Sequence, residues 1–459
     1  MIHQKVIISL LTILISVQDC YLSAQSRERD TLKGGELFIS LISSSTNDEA
    51  LRLVQVIDKT WETSYEIMTI ETVYILQNPL VSLELINLLQ DKTSKRYGYN
   101  FSEWYKWLWN KKEAKDKNYG NFKSYLHKKI DPKFDLYFKG RNEKTTIRLD
   151  EVRWGGVVQD GIPPLRSPEM INASEAAYLE DNNIVFGIEV NGDVRAYPKR
   201  ILAWHEMFVD EVGGVPVAGV YCTLCGTVIL YKTEFNGINY ELGTSGFLYR
   251  SNKLMYDRTT QSLWNTLRGE PVIGPLINKG IALEHLSVVT TTWGEWKRRH
   301  PNTKVLSERT GHKRDYSEGE AYKAYFATDE LMFNTPFDDR RLKNKDEVLA
   351  LRFPEYPLDQ LAISTKFLKK NPIYTDLIGR KSFVVFTDRS GANRVYNAEG
   401  VKFVSYDGDS KIKDDTGILW RLKEDQLFSA DGRTAARLPY HRAFWFGWLA
   451  AYPNTRLVK

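Results

Sequence analysis

Along the first part of the chain, apolar residues return every three or four positions. NDEALRLVQVIDKTWETSYEIMTIETVYILQ (47–77), PLVSLELINLLQDKT (79–93) and FSEWYKWLWNKK (101–112) all keep this rhythm. It places one apolar stripe on each of a series of short amphipathic helices. Pro79 suits the first turn of a helix, where no backbone N–H is needed. The helical region is predicted over 31–140, as a helical-repeat stack or small bundle. Its role is either a structural cap or, through residues 31–130, a docking surface for a protein partner. After KIDPKFDLYFKG (129–140) the rhythm changes. Short β-branched and aromatic runs now alternate with Gly, Asn, Asp and Pro. IVFGIEVNGDVRAYP (184–198) predicts a hairpin turning at Asn191–Gly192, and TEFNGINYELG (233–243) another at Asn236–Gly237. VPVAGVY (215–221) and TVILYKT (227–233) predict two strands, and TTWGEWKRRH (291–300) a helix capped from within Thr290 to Thr292. The fold class is α+β and β-rich.

The β-rich pattern runs twice. TTWGEWKRRHPNTKVLS (291–307) is answered by AFWFGWLAAYPNTRLVK (443–459), and YDRTTQSLW (256–264) by KDDTGILW (413–420). VRAYPKRIL (194–202) is matched by FPEYPLDQL (353–361), and IVFGIEV (184–190) by EVLALRF (347–353), all in the same order. This predicts an internal duplication, with a first unit at 150–340 and a second, degenerate unit at 341–459. Where the first copy has VYCTLCGTVILY (220–231), the second has VVFTDRSGANRVY (384–396), without cysteine. Where the first has AWHEMF (203–208), the second has AISTKF (362–367). His205, Cys222 and Cys225 are therefore not needed by the shared fold and point to a site confined to the first unit.

A length of 459 residues exceeds one ordinary core, and 42% apolar with 26% charged residues reads as a globular protein. The net charge of +5 is dispersed, and the basic stretch KWLWNKKEAKDK (106–117) mixes both signs. A nucleic-acid partner is not expected. MIHQKVIISLLTILISVQDCYLSAQS (1–26) has a lysine, an apolar core and small residues before a cleavage point after Ala24. It predicts a signal peptide over 1–24 and an extracytoplasmic location, periplasmic or secreted. Cys20 follows VQD, which lacks the small residues that lipid modification needs. No later apolar run is long enough to span a bilayer, so no transmembrane segment is expected in the mature chain.

In an oxidising compartment a close cysteine pair is a disulfide, a redox couple or part of a metal site. A bridge closing so short a loop adds little stability. The residues after Cys225 are Gly226 and a strand run, so Cys222 and Cys225 sit on a strand-to-strand turn rather than at a helix start. Two thiolates make half of a tetrahedral metal set. His205 is the best third ligand, for zinc or copper, and equally a base for a reactive thiol. His441 is a weaker candidate, and His285, His300 and His312 read as exposed. Asp257 and Arg258 read as an ion pair, structural rather than substrate-binding, and Arg195 and Glu206 as similar cases. No Ser-His-Asp order, P-loop or Gly-x-Gly-x-x-Gly is present, which excludes the usual hydrolase, nucleotide and dinucleotide readings.

WGGVVQDGIPPL, DVRAYPKRILAWHE, PVAGVYCTLCGT, LGTSGFLYRSNKLMYDRTTQSLWNTLRGEPVIGPL, WGEWKRRHPNTKVLS and DDRRLKNKDEVLAL together resemble the bacterial family labelled domain of unknown function 3179. The resemblance runs from about residue 150 to the end. It implies no established activity. It marks the cysteine turn, WHE and YDR…SLW as typical features. Thr223 departs from the pattern, since the family usually has proline between the cysteines.

Overall fold

The computed structural model describes residues 32–459, and the predicted signal peptide lies outside them. Two compact units divide between Asp150 and Glu151.

Among its described residues the first unit holds six helices of nine residues or more: α1 (Gly34–Ile42), α2 (Asn47–Lys59), α3 (Tyr65–Ile75), α4 (Pro79–Thr93), α5 (Phe101–Trp109) and α6 (Tyr119–Lys128). Side-chain caps set several of their starts, because the first N–H groups of a helix have no partner within it. Thr46 accepts from Glu49 N, Asn78 from Val81 N ahead of Pro79, and Asn100 from Glu103 N. α3 is the central helix and is buried nearly all round, including Glu66 and Glu71. Burial raises the Glu71 carboxyl, and the fully buried Lys123 ammonium pairs with it.

The second unit is β-rich and is described in two halves. In its first half, β1 (Ile184–Val190) and β2 (Asp193–Pro198) form a hairpin through Asn191 and Gly192, both at positive φ. Helix α7 (Lys199–His205) follows, then a meander of β3 (Met207–Val212), β4 (Val215–Cys222) and β5 (Thr227–Lys232). Later come β6 (Val289–Thr292), helix α8 (Trp293–Arg299) and β7 (Lys304–Leu306). β6 pairs antiparallel with β1, and β7 parallel with β2.

The second half has the same elements in the same order. β8 (Glu347–Arg352) and β9 (Gln360–Ser364) pair antiparallel, and α9 (Thr365–Lys370) follows. The meander is β10 (Ile373–Ile378), β11 (Lys381–Thr387) and β12 (Asn393–Asn397). β13 (His441–Phe444), α10 (Trp445–Ala451) and β14 (Arg456–Val458) close it, with β13 antiparallel to β8 and β14 parallel to β9. The likeness reaches single hydrogen bonds. Trp296 Nε1 donates to Thr303 Oγ1 at 3.1 Å, and Trp448 Nε1 to Thr455 Oγ1 at 2.9 Å. Trp264 Nε1 donates to Asp257 Oδ2 at 3.1 Å, and Trp420 Nε1 to Asp414 Oδ2 at 2.9 Å.

The halves interlock through their meander turns. Phe444 N donates to Cys225 O at 2.8 Å, while Gly447 lies so close that a Cβ there would come within 2.7 Å of Cys225 Cβ. On the other side, Thr291 Oγ1 and Ser390 Oγ are 3.2 Å apart. Each half thus presses its aromatic helix region against the other's turn. Among the described residues no helix is long and apolar enough to cross a membrane.

Candidate functional site

The turn from β4 to β5 runs Cys222-Thr223-Leu224-Cys225-Gly226. Cys222 pairs with Thr227 as the last rung of the ladder, and Gly226 takes a φ of +59° that a side chain would resist. A Cβ on Gly226 would also meet the Phe444 ring at 2.8 Å. The two sulfurs are joined in a disulfide with the Cα atoms 5.5 Å apart. Cys222 is 2% and Cys225 1% exposed, within an apolar cluster of Leu224, Leu248, Tyr325, Phe444 and Phe446.

A polar network adjoins this turn. Glu206 caps α7 and holds a left-handed φ of +56°, which costs a non-glycine residue about 1–3 kcal/mol. Its carboxylate binds Lys253 Nζ at 2.8 Å, Thr223 Oγ1 at 2.5 Å and Tyr322 OH at 3.1 Å. Three partners of this kind hold the residue in place. Desolvation lowers the Lys253 ammonium from its ordinary value, and Glu206 opposes that shift. Burial raises the Tyr322 phenol. A small cleft of about 80 Å³ lies here, lined by Glu206, Leu224, Lys253, Tyr322 and Phe333 among others. Thr223 supplies a hydroxyl donor that a proline at this position would not. The segments around WHE, the cysteine turn and YRSNK therefore meet in one place.

The structure joins the two cysteines but does not bring His205 to them. His205 ends α7, with Nδ1 2.9 Å from Pro163 O and Nε2 2.6 Å from Tyr316 OH. A carbonyl only accepts, so Nδ1 carries the proton and Nε2 accepts from the tyrosine. Burial holds this imidazole neutral, its pKa lowered to about 4. With the sulfurs bonded to each other and both ring nitrogens satisfied, the set Cys222, Cys225 and His205 does not fit zinc or copper in this state. Among the described residues no group of three or more His, Cys, Asp or Glu side chains is placed to hold a metal ion.

Other expectations fare unevenly. Asp257 does not pair with Arg258. It accepts from Thr260 N at 2.6 Å and from Trp264, while Arg258 pairs with Glu241 at 2.9 Å. Arg195 binds Asp193 and Asp210, a structural clamp. His312 is exposed, but His285 is half-buried with its Nε2 enclosed and unpartnered, as is His441 Nε2.

Residues 307–346 cover the turn and carry only one short helix, Lys323–Phe326. Tyr325 OH donates to Leu224 O at 2.7 Å, Tyr322 reaches Glu206, and Phe326 packs edge-on to Phe444. Long segments with little secondary structure commonly serve as lids.

The second half contains a natural comparison. Thr387 and Ser390 stand at the places of Cys222 and Cys225, ahead of Gly391 at φ +88°. Gly391 N donates to Asp388 O at 2.9 Å and Ser390 Oγ to Asp388 Oδ1 at 2.6 Å, so hydrogen bonds alone close this turn.

A family model described as Protein of unknown function (DUF3179) matches residues 159–455. No curated protein and no solved structure matches the chain.

Proposed function

The chain belongs to the DUF3179 family, and from its cysteine turn we propose a thiol–disulfide redox function in an exported protein. One observation carries this reading: a sibling turn in the same unit closes over Thr387 and Ser390 with no sulfur at all. A bond that the fold does without at one copy is available for chemistry at the other. The loop it closes is too short for the bond to contribute much as a staple.

The co-reactant is an external dithiol. One of its thiolates attacks a sulfur of the Cys222–Cys225 bond, which breaks as a mixed disulfide forms. The second external thiolate then attacks the first external sulfur, closes the partner's own disulfide and displaces the protein's cysteine sulfur as a thiolate. Two electrons and two protons pass to Cys222 and Cys225, and the partner leaves as a disulfide. Both sulfurs are nearly buried, so the 307–346 segment must move aside for this attack. The duplication of 150–340 and 341–459, supported by the matched strand orders, and an extracytoplasmic location through residues 1–24 belong to the same reading.

A second reading, a structural corner on a binding or scaffold protein, is favoured by the 2% and 1% exposure of the sulfurs. Equilibration with graded dithiothreitol ratios, in a Cys20→Ala background, separates the two. Redox function requires reversible gain of two thiols by the native protein, and a mixed disulfide trapped in Cys222→Ser or Cys225→Ser. Sulfurs that react only after unfolding would refute it.

A further inference from the structure

At the seam of the two halves of the second unit lies a cavity of about 630 Å³, within the usual size of small-ligand sites. Residues at corresponding positions of the two halves line it, and at two of these pairs the charge is inverted. Glu189 of β1 corresponds to Arg352 of β8. Arg268, four residues after Trp264, corresponds to Glu424, four after Trp420. His285, paired with Tyr231, corresponds to Arg437, bridged to Tyr396.

The cavity therefore has two unlike ends. At one, the Glu189 carboxyl lies near His300, Lys423, Glu424 and Asp425, and burial raises its pKa. Glu424 is already neutralised by Arg394 at 2.7 Å and Arg437 at 3.1 Å. The Glu189 carboxylate makes no hydrogen bond or ion pair among the described residues. At the other end, Arg268 faces the Tyr452 ring at 5.6 Å and has no carboxylate within ion-pair distance among the described residues. Arg352 has a long ion pair with Glu270, at 3.9 Å. His285 and His441 stand here with their rings 6.4 Å apart, and burial keeps both neutral. Neither imidazole balances a charge, and each leaves an enclosed Nε2 without a partner.

We propose that this cavity binds a small zwitterion carrying a free ammonium and a free carboxylate, as an amino acid or short peptide does. The carboxylate docks on the guanidinium groups of Arg268 and Arg352, which match its two oxygens, and the ammonium on Glu189. A singly charged ligand would leave one end unpaired in a partly desolvated site, where that loss is felt more than in water. The proposal is independent of the cysteine reading.

Calorimetric titration of the whole protein with alanine, trialanine, N-acetyl-trialanine and trialanine amide tests it. At least one zwitterion should bind, with alanine and trialanine separating amino acid from peptide. Capping either terminus of trialanine, or of alanine if that binds, should weaken binding about tenfold or more. Glu189→Gln should reduce the zwitterion to the affinity of its N-acetyl form and leave that form unchanged. Arg268→Gln should erase the distinction between carboxylate and amide, and thermal unfolding of both variants reports that they fold. No binding of any zwitterion at millimolar concentration, capped forms binding equally well, or variants that keep both discriminations would overturn the proposal.

Discussion

Reduction of the Cys222–Cys225 bond removes no atoms and adds only a hydrogen to each sulfur, so it isolates what the bond contributes. The closed loop is four residues long, from Cys222 to Cys225. The chain-entropy relation for a loop of that length gives about 6 cal/mol/K, or about 2 kcal/mol at 25 °C. Unfolding entropy near 60 °C is about 2.1 cal/mol/K per residue, roughly 650 cal/mol/K for the unit spanning 151–459. The melting temperature should therefore fall by only about 3 °C on reduction. Scanning calorimetry of the Cys20→Ala protein with and without a phosphine reductant measures the shift, and a colorimetric thiol count confirms the state of each sample. A fall of more than about 10 °C, or loss of the cooperative transition, would refute the reasoning. It would mean that the first half needs its bond where the second half closes the same turn with Ser390 and Asp388.

Three further outcomes are expected. Lys253→Met should destabilise by about 3–5 kcal/mol in denaturant unfolding, because Glu206 is then buried with its cation gone, and the double variant with Glu206→Gln should recover part of the loss. His205 is held neutral with its pKa lowered to about 4 while the unfolded imidazole protonates near 6.5, so its contribution is intact above pH 6.5 and is lost as pH falls toward 4. By pH 4.5 that loss should reach about 2.5 kcal/mol, and His205→Gln should show a correspondingly flatter stability profile between pH 7 and pH 4.5. Thr303→Val and Thr455→Val each strand a buried indole N–H, so both should cost about 1–3 kcal/mol and agree with each other; a large disparity would argue against equivalent roles in the two halves.

Local chemistry was legible in the sequence, and long-range chemistry was not. Asn191–Gly192 and Asn236–Gly237 each turn a hairpin as read, because the positive φ values such turns need are a property of those residues. Thr292 caps α8 and Asn78 with Pro79 opens α4 for the same reason. The pairing of Cys222 with Cys225 was one of three readings and needed only a short turn. His205 was misplaced because its partners, Pro163 and Tyr316, lie on segments far from it in sequence, and nothing in AWHEMF announces them. Nothing local in the sequence marks the role of Glu206, since its left-handed backbone and its meeting with Lys253 exist only in the folded unit. The hydroxyl of Thr223 in place of proline was the one available signal. The inverted charges of the cavity were within reach: aligning IVFGIEV with EVLALRF sets Glu189 on Arg352 directly.

The reciprocal grip of the two halves also fixes a sequence of events during synthesis. The cysteine turn leaves the ribosome long before Phe444 and Gly447, the residues that roof it. Throughout that interval the turn stands unroofed. Arrival of the last strand and helix shuts that window. A chain cut short before residue 444 would keep the window open.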